Sequence, residues 1–238
     1  MVAETERSRS SGFLLLLILC ALLLTVRLVY LYLSDAQCFP ISRVKISATY
    51  QHITRKQIED VLSGYMNQSF FSVSIRHLKA DLLLFDWSDK VNIARIWPDT
   101  LQIIMVEKIP VAIWNDVLMT EQGTLFKVGK EQVDWSLPKL SGPEQQQLDV
   151  LQIYQKLSKL LSVYGLHAAS LQLRDNQAWE LSLTNGVQLR LGKRDLDERV
   201  LRFCRAYPAV FADKPEQLSS VDLRYARGMA VQWKGTSK

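Results

Sequence analysis

The chain has 238 residues, 48% of them apolar and 22% charged, with a formal net charge of +5. That composition is globular, not disordered, and Gly (10) and Pro (7) are too scarce for a collagen-like or linker-rich chain. Three Cys and three His cannot build a disulfide scaffold or a zinc module, and the mild positive balance permits anionic partners without demanding them.

Phe13 to Leu33 is apolar apart from Arg27, and a helix needs roughly 20 mostly apolar residues to cross the bilayer core. Arg27 lies near enough to the end of the segment for its head to snorkel outward, and Tyr30 and Tyr32 suit the interface. A removable signal peptide, cleaved after Ser34-Asp35-Ala36, is the alternative; the length of the run and the weak basic start favour an uncleaved anchor. The tail, residues 1–12, carries Arg7 and Arg9 but also Glu4 and Glu6, while Arg43 and Lys45 follow the span, so charge leaves the orientation open. A short tail and a large soluble part suit a single-pass protein with its bulk outside. There, Cys38 and Cys204 would meet an oxidising compartment, but nothing in the sequence brings them together. Cys204, within an apolar helical pattern, reads as a buried hydrophobe.

The first soluble block alternates at Val44, Ile46 and Ala48, which predicts a strand. Thr54 and Gln57 form a capping box, followed by the helical face Ile58, Val61, Leu62 and Tyr65. Ser74 caps a second helix with Ile75, Leu78, Leu82 and Phe85 on one side. Two strands follow, with Val91, Ile93 and Arg95 sharing a side of the first and Leu101, Ile103 and Met105 a side of the second; Trp97-Pro98-Asp99 turns between them. The order β-α-α-β-β predicts a small sheet covered on one face by two helices.

In the second block, Val111 to Asn115 and Val117 to Thr120 read as strands about Asn115-Asp116. Residues 127–139 lack periodicity and read as loop. Ser141-Gly142-Pro143 introduces a helix striped by Val150, Ile153, Tyr154, Leu157, Leu160, Leu161 and Tyr164 and stopped at Gly165. Three strands carry Ala169, Leu171 and Leu173, then Trp179, Leu181 and Leu183, then Val187, Leu189 and Leu191. Asn185-Gly186 joins the last two as a two-residue turn with both residues at positive φ. A helix from Arg194 to Tyr207 precedes Pro208, with Arg199, Arg202 and Arg205 on a solvated face. Two last strands span 220–225 and 229–233. The fold class is α+β, with a mostly antiparallel second domain holding two helices.

Chemistry is sparse. His52, His77 and His167 have no metal-ligand spacing, and no Gly-x-Ser-x-Gly, Walker or dinucleotide pattern occurs. Asp195/Asp197 and Glu59/Asp60 sit among basic residues as solvated charge. Gly192-Lys193-Arg194 is a β-to-α turn as readily as an anion site. Lys and Arg are dispersed without interleaved aromatics, which argues against nucleic acid as a partner. No cofactor, metal or catalytic residue is expected.

The residues Asp35-Ala36-Gln37 and Pro40, Arg95 to Leu101, Val106 to Ala112, Trp114-Asn115-Asp116, Leu137-Pro138, Leu140, Gly142-Pro143 and Val221 to Tyr225, then Gly228, Ala230-Val231 and Trp233, occur in an order that resembles the FtsQ family of bacterial cell division proteins. The resemblance spans nearly the whole chain. It implies a cytoplasmic tail (1–12), a transmembrane helix (13–33), a POTRA (polypeptide-transport-associated) domain (39–108) and a β domain (109–235). It further implies a single-pass type II protein of the inner membrane, with its bulk in the periplasm at the division septum. The implied function is a non-enzymatic scaffold that links early and late division proteins, binds FtsB and FtsL through the β domain and is linked to FtsK. Arg227 departs from the small polar residue that the family carries there. A POTRA protein of transport or outer-membrane assembly, or an anchored periplasmic hydrolase, are the competing readings.

Under that resemblance the terminal strands suggest strand addition at a sheet edge. Tyr225 and Trp233 would be aromatic anchors, Arg224 would face an acidic partner residue, and Gly228 would allow close backbone approach. Residues alone leave Tyr225 and Trp233 equally open to a role as core aromatics.

Overall fold

The structure, a computed structural model, describes residues 3–211 and 217–235. Residues 1–2 of the expected tail lie outside the described residues. The chain divides into two compact units, Met1–Lys108 and Ile109–Lys238.

The first unit opens with helix α1 (Ala3–Leu33), which starts well before the apolar run. Its Leu14–Leu33 stretch is long and apolar enough to cross a membrane, and none of that stretch is buried in the chain. Strand β1 (Arg43–Ser47), helices α2 (Arg55–Ser63) and α3 (Ile75–Leu83), and strands β2 (Ser88–Ile96) and β3 (Thr100–Glu107) follow in the expected order. The sheet order is β1-β3-β2, with β1 parallel and β2 antiparallel to β3. Both helix starts form as their caps require: Thr54 accepts from the Gln57 amide in a full capping box, and Ser74 accepts from the His77 amide. Ile58, Leu62, Leu78 and Leu82 on the helices are buried, as are Leu101, Ile103 and Met105 on β3, while Ile104 and Val106 on its other face are exposed. The buried Glu107 carboxylate accepts from the amides of Gln51, His52 and Ile53 at 3.0–3.2 Å. These bonds satisfy an otherwise costly charge and fix the loop between β1 and α2.

The second unit is one nine-stranded mixed sheet. Its strands are β4 (Pro110–Trp114), β5 (Val117–Thr120), β6 (Leu125–Phe126), β7 (Lys139–Ser141), β8 (Ala168–Leu173), β9 (Trp179–Leu183), β10 (Gln188–Gly192), β11 (Leu218–Asp222) and β12 (Ala230–Trp233). The spatial order is β12-β11-β10-β9-β8-β7-β4-β5-β6. Pairing is parallel at β4–β7, β7–β8 and β10–β11 and antiparallel elsewhere. Helix α4 (Gln147–Ser162) links the parallel β7 and β8, and α5 (Leu196–Val210) links the parallel β10 and β11. The helices and the inward faces of the strands enclose one core around Leu140, Val150, Leu157, Leu171, Leu181, Leu189, Phe203 and Val221.

Several sequence expectations change here. Residues 127–139 do not form loop throughout: Lys130–Gln132 makes a 3₁₀ turn, and Lys139 opens β7, a strand too short to show a period. Helix α4 begins at Gln147, after the turn that Pro143 starts, and buries Leu151 beside the expected stripe. A bulge in β8 between Ala168 and Ser170 turns Ala168, not Ala169, into the core. At Asn185-Gly186 only Gly186 has positive φ (86°); bonds from Gly186 N–H to Leu183 C=O and from Leu183 N–H to Val187 C=O make a three-residue loop with a glycine bulge. Pro208 lies inside the last turn of α5 and does not follow the helix, which runs on to Val210 without the bond a Pro208 amide would have made to the Cys204 carbonyl.

Candidate partner-binding edge

β12 is the end strand of the sheet. It pairs antiparallel with β11, placing Val231 opposite Val221 and Gln232 opposite Ser220, whose hydroxyl bonds the Gln232 side chain at 3.1 Å. Among the described residues no strand lies on its other side, so the backbone groups there are open to a further strand.

The approach to this edge is shaped by α5. Arg202 does not sit on a solvated face. Its guanidinium donates to the carbonyls of Leu223 (3.0 Å), Tyr225 (2.9 Å) and Ala226 (2.9 Å). Leu223 still donates its amide to the Arg190 carbonyl of β10, but its own carbonyl and those of Tyr225 and Ala226 are taken by Arg202, so β11 stops at Asp222 and β12 starts only at Ala230 instead of extending over 220–225 and 229–233. Arg199 likewise donates to the Leu191 carbonyl. Gly192, with φ 77°, lets both arginine side chains pass: a Cβ there would lie 2.6 Å from Arg199 Nη1 and 3.2 Å from Arg224 Cγ.

Arg224 is held within the chain. Asp222 accepts from its amide (3.0 Å), its Nε (2.9 Å) and its Nη2 (2.6 Å). These bonds, led by the guanidinium, hold the Asp222 carboxyl below the usual aspartate range. The Arg224 side chain is still 59% exposed, so one face of it stays open to an acidic group. Because the folded value is depressed, the pair stabilises the edge above the unfolded aspartate value near ~4 and loses that contribution as pH falls through the lower folded value. Asp222→Asn is therefore expected to flatten the acid limb of melting temperature against pH. Parallel acid limbs in the variant and the parent would refute this.

Tyr225 is 57% exposed and Trp233 44% exposed, which rules out full burial for either. Trp233 leans on the core through Phe211, ring centroids 6.1 Å apart, and presents its remainder outward. Residues 225–230 line an open concavity of ≈540 Å³. Gly228 sits there without positive φ, and a Cβ on it would meet nothing within 4 Å, so its missing side chain serves no internal packing. The structure thus brings Tyr225 and Gly228 to one concavity and Trp233 to the strand beside it. In the sequence, Arg202 reads as part of a solvated helix face and Gly192 as part of a turn or anion site, and neither spacing points to this edge. Arg202 carried no local signal, since its acceptors lie 21–24 residues away.

Among the described residues no group of three or more His, Cys, Asp or Glu is placed to hold a metal. Cys38 and Cys204 are free thiols, and burial pushes the Cys204 thiol up to about 11, away from nucleophilic use.

Residues 39–108 match the family model described as POTRA domain, FtsQ-type, and residues 112–224 match Cell division protein FtsQ/DivIB, C-terminal. A Cell division protein FtsQ of Coxiella burnetii is 32% identical over 97% of this chain and 96% of its own length. The chain belongs to the FtsQ family. The FtsQ proteins of Shewanella oneidensis (34% identical, 87% of this chain and 79% of the relative) and Vibrio cholerae (31%, 94% and 86%) are similar on the same scale. The FtsQ/DivIB match ends at Arg224, so it takes in the Asp222–Arg224 pair but not Tyr225, Gly228 or Trp233. The chain is thus an FtsQ-family cell division protein whose N-terminal apolar helix fits a transmembrane anchor.

Proposed function

We propose that this protein is a non-enzymatic scaffold of the division machinery. It is held in the inner membrane by residues 13–33, with residues 1–12 in the cytoplasm and the POTRA (39–108) and β (109–235) domains in the periplasm at the septum. It links early and late division proteins and captures FtsB, with FtsL, by adding a partner strand to β12. Tyr225 and Trp233 act as anchors on either side of the strand start, Gly228 leaves room for the partner backbone, and the open face of Arg224 meets an acidic residue. The POTRA domain carries the link to FtsK. The observation that carries this reading is the end strand β12, with exposed Trp233 as its last residue and exposed Tyr225 ahead of its start. Strand addition supplies main-chain hydrogen bonds for affinity and side-chain pockets for specificity.

The test is a photo-crosslinking residue placed at Tyr225 in dividing cells. An adduct containing FtsB is expected. Its absence, from a full-length protein that still supports division, would refute the assignment. Depletion of the protein is expected to give long, unpinched filaments. Normal division with defects of outer-membrane assembly would favour a POTRA role in transport instead.

A further inference from the structure

The end of α1 is tied to the loop between α2 and α3, which the sheet of the first unit holds in turn. Ser69 donates its hydroxyl to the carbonyl of Leu33, the last residue of the helix, and Pro40 forms an isolated bridge to Ser69. The Phe70 amide donates to the Phe39 carbonyl at 2.8 Å. Arg95 then fixes residues 70–73 from the sheet side by donating to the carbonyls of Phe70, Phe71 and Val73. The turn between β2 and β3 closes the same corner, since the Asp99 carbonyl accepts from the amides of Ser42 and Arg43 at the start of β1.

A chain of rings follows this connection. Tyr32 on the span meets Phe39 (5.4 Å between centroids), Phe39 meets Phe71 (5.0 Å), and Phe71 meets Trp97 (5.2 Å). Trp97, at the tip of the turn, is 70% exposed, and its neighbour Ile96 is also exposed. An exposed tryptophan of this size at a hairpin tip is unusual for a surface that only meets water. Arg43 and Lys45, both exposed, lie on the strand beside the tip.

We propose that the β2–β3 turn rests in the membrane–water interface, with Trp97 inserted at headgroup level, and so gives the POTRA domain a lipid contact of its own. This rests on the reading of α1 as the membrane span. Tryptophan suits that layer because the indole body is apolar and its N–H prefers a polar partner. Lys45 adds attraction to anionic headgroups, while Arg43 offsets the charge of Asp99 in the turn, 3.6 Å away. The favoured occupant is lipid, not protein, because the tip is continuous through three ring contacts with the end of the span itself.

The experiment uses the full-length chain in vesicles of phosphatidylethanolamine and phosphatidylglycerol, with and without bromine on the acyl chains near the headgroup. Tryptophan emission is recorded for the parent, Trp97→Phe and Trp135→Phe. Trp87, Trp114 and Trp179 are buried, which leaves Trp97, Trp135 and Trp233 as the exposed emitters. Brominated lipid is expected to quench part of the parent emission. Trp97→Phe is expected to lose most of that quenching, and Trp135→Phe to keep it. Trp97→Tyr serves as a second replacement with the same expectation. Vesicle-bound protein whose emission is unquenched, or quenched equally in Trp97→Phe, would overturn the proposal and leave the tip to a protein partner. Failure of the parent to float with the vesicles would overturn the span itself, and this proposal with it.

Discussion

Replacing Arg202 with methionine is expected to destabilise the β domain by about 3 kcal/mol. The guanidinium makes three charge-assisted bonds to the carbonyls of Leu223, Tyr225 and Ala226, and no neutral side chain can reproduce that fork. Water can reclaim part of the loss at Tyr225 and Ala226, which are exposed, but Leu223 is fully buried. Thermal melting should fall by roughly 10 °C. FtsB binding should weaken as well, although Arg202 need not touch the partner, because Tyr225 and Ala226 would no longer be held in place beside the edge. Arg202→Lys should recover only a fraction of both. A melting temperature unchanged in Arg202→Met would show that the three bonds are replaced by solvent at no cost.

The second large effect belongs to binding. Tyr225→Ala is expected to weaken FtsB binding about 30-fold, or ~2 kcal/mol, the level at which an interface anchor stands out from its neighbours. Because Tyr225 is mostly exposed, the melting temperature should hardly move. Gly228→Val makes a sharper separation. It adds atoms where nothing in the chain lies within 4 Å, so folding should be unaffected while an approaching backbone is obstructed. Trp233→Ala should lose binding and some stability together, because its ring also rests on Phe211. Isothermal titration against FtsB, paired with melting curves, reads all three. A folded Tyr225→Ala protein with parental affinity would remove Tyr225 from the interface.

The parts of the fold that local chemistry dictates could be read from the sequence. The capping box at Thr54 and Gln57, the period-two runs in β9 and β10, and the α3 stripe each express a rule that acts within a few residues. Short or non-local features could not. β7 has three residues, so no period can be seen, yet it lies between β4 and β8 and carries the sheet across its middle. Arg199 and Arg202 share the spacing of a solvated helix face, and only tertiary placement reveals their carbonyl acceptors. The strand limits at 220–225 failed for the same reason: alternation favours extending β11, and Arg202 overrides it from another element. For the edge itself, residue types left Tyr225 and Trp233 undecided between core and surface. The sheet order and their exposure place both at the surface, and binding remains the proposal drawn from that placement.

The strand order also sets a sequence of events during synthesis. Strands β4 to β6, made first, lie at one margin of the sheet, and β12 lies at the other. Earlier segments fold ahead of later ones as a chain emerges from the ribosome. The POTRA domain can therefore be in place while the β12 margin, where docking is proposed, does not yet exist. β12 needs β11, and β11 needs α5 to bring it beside β10. Partner capture at β12 would thus be a completion signal: it can happen only once translation has passed every element on which the margin rests.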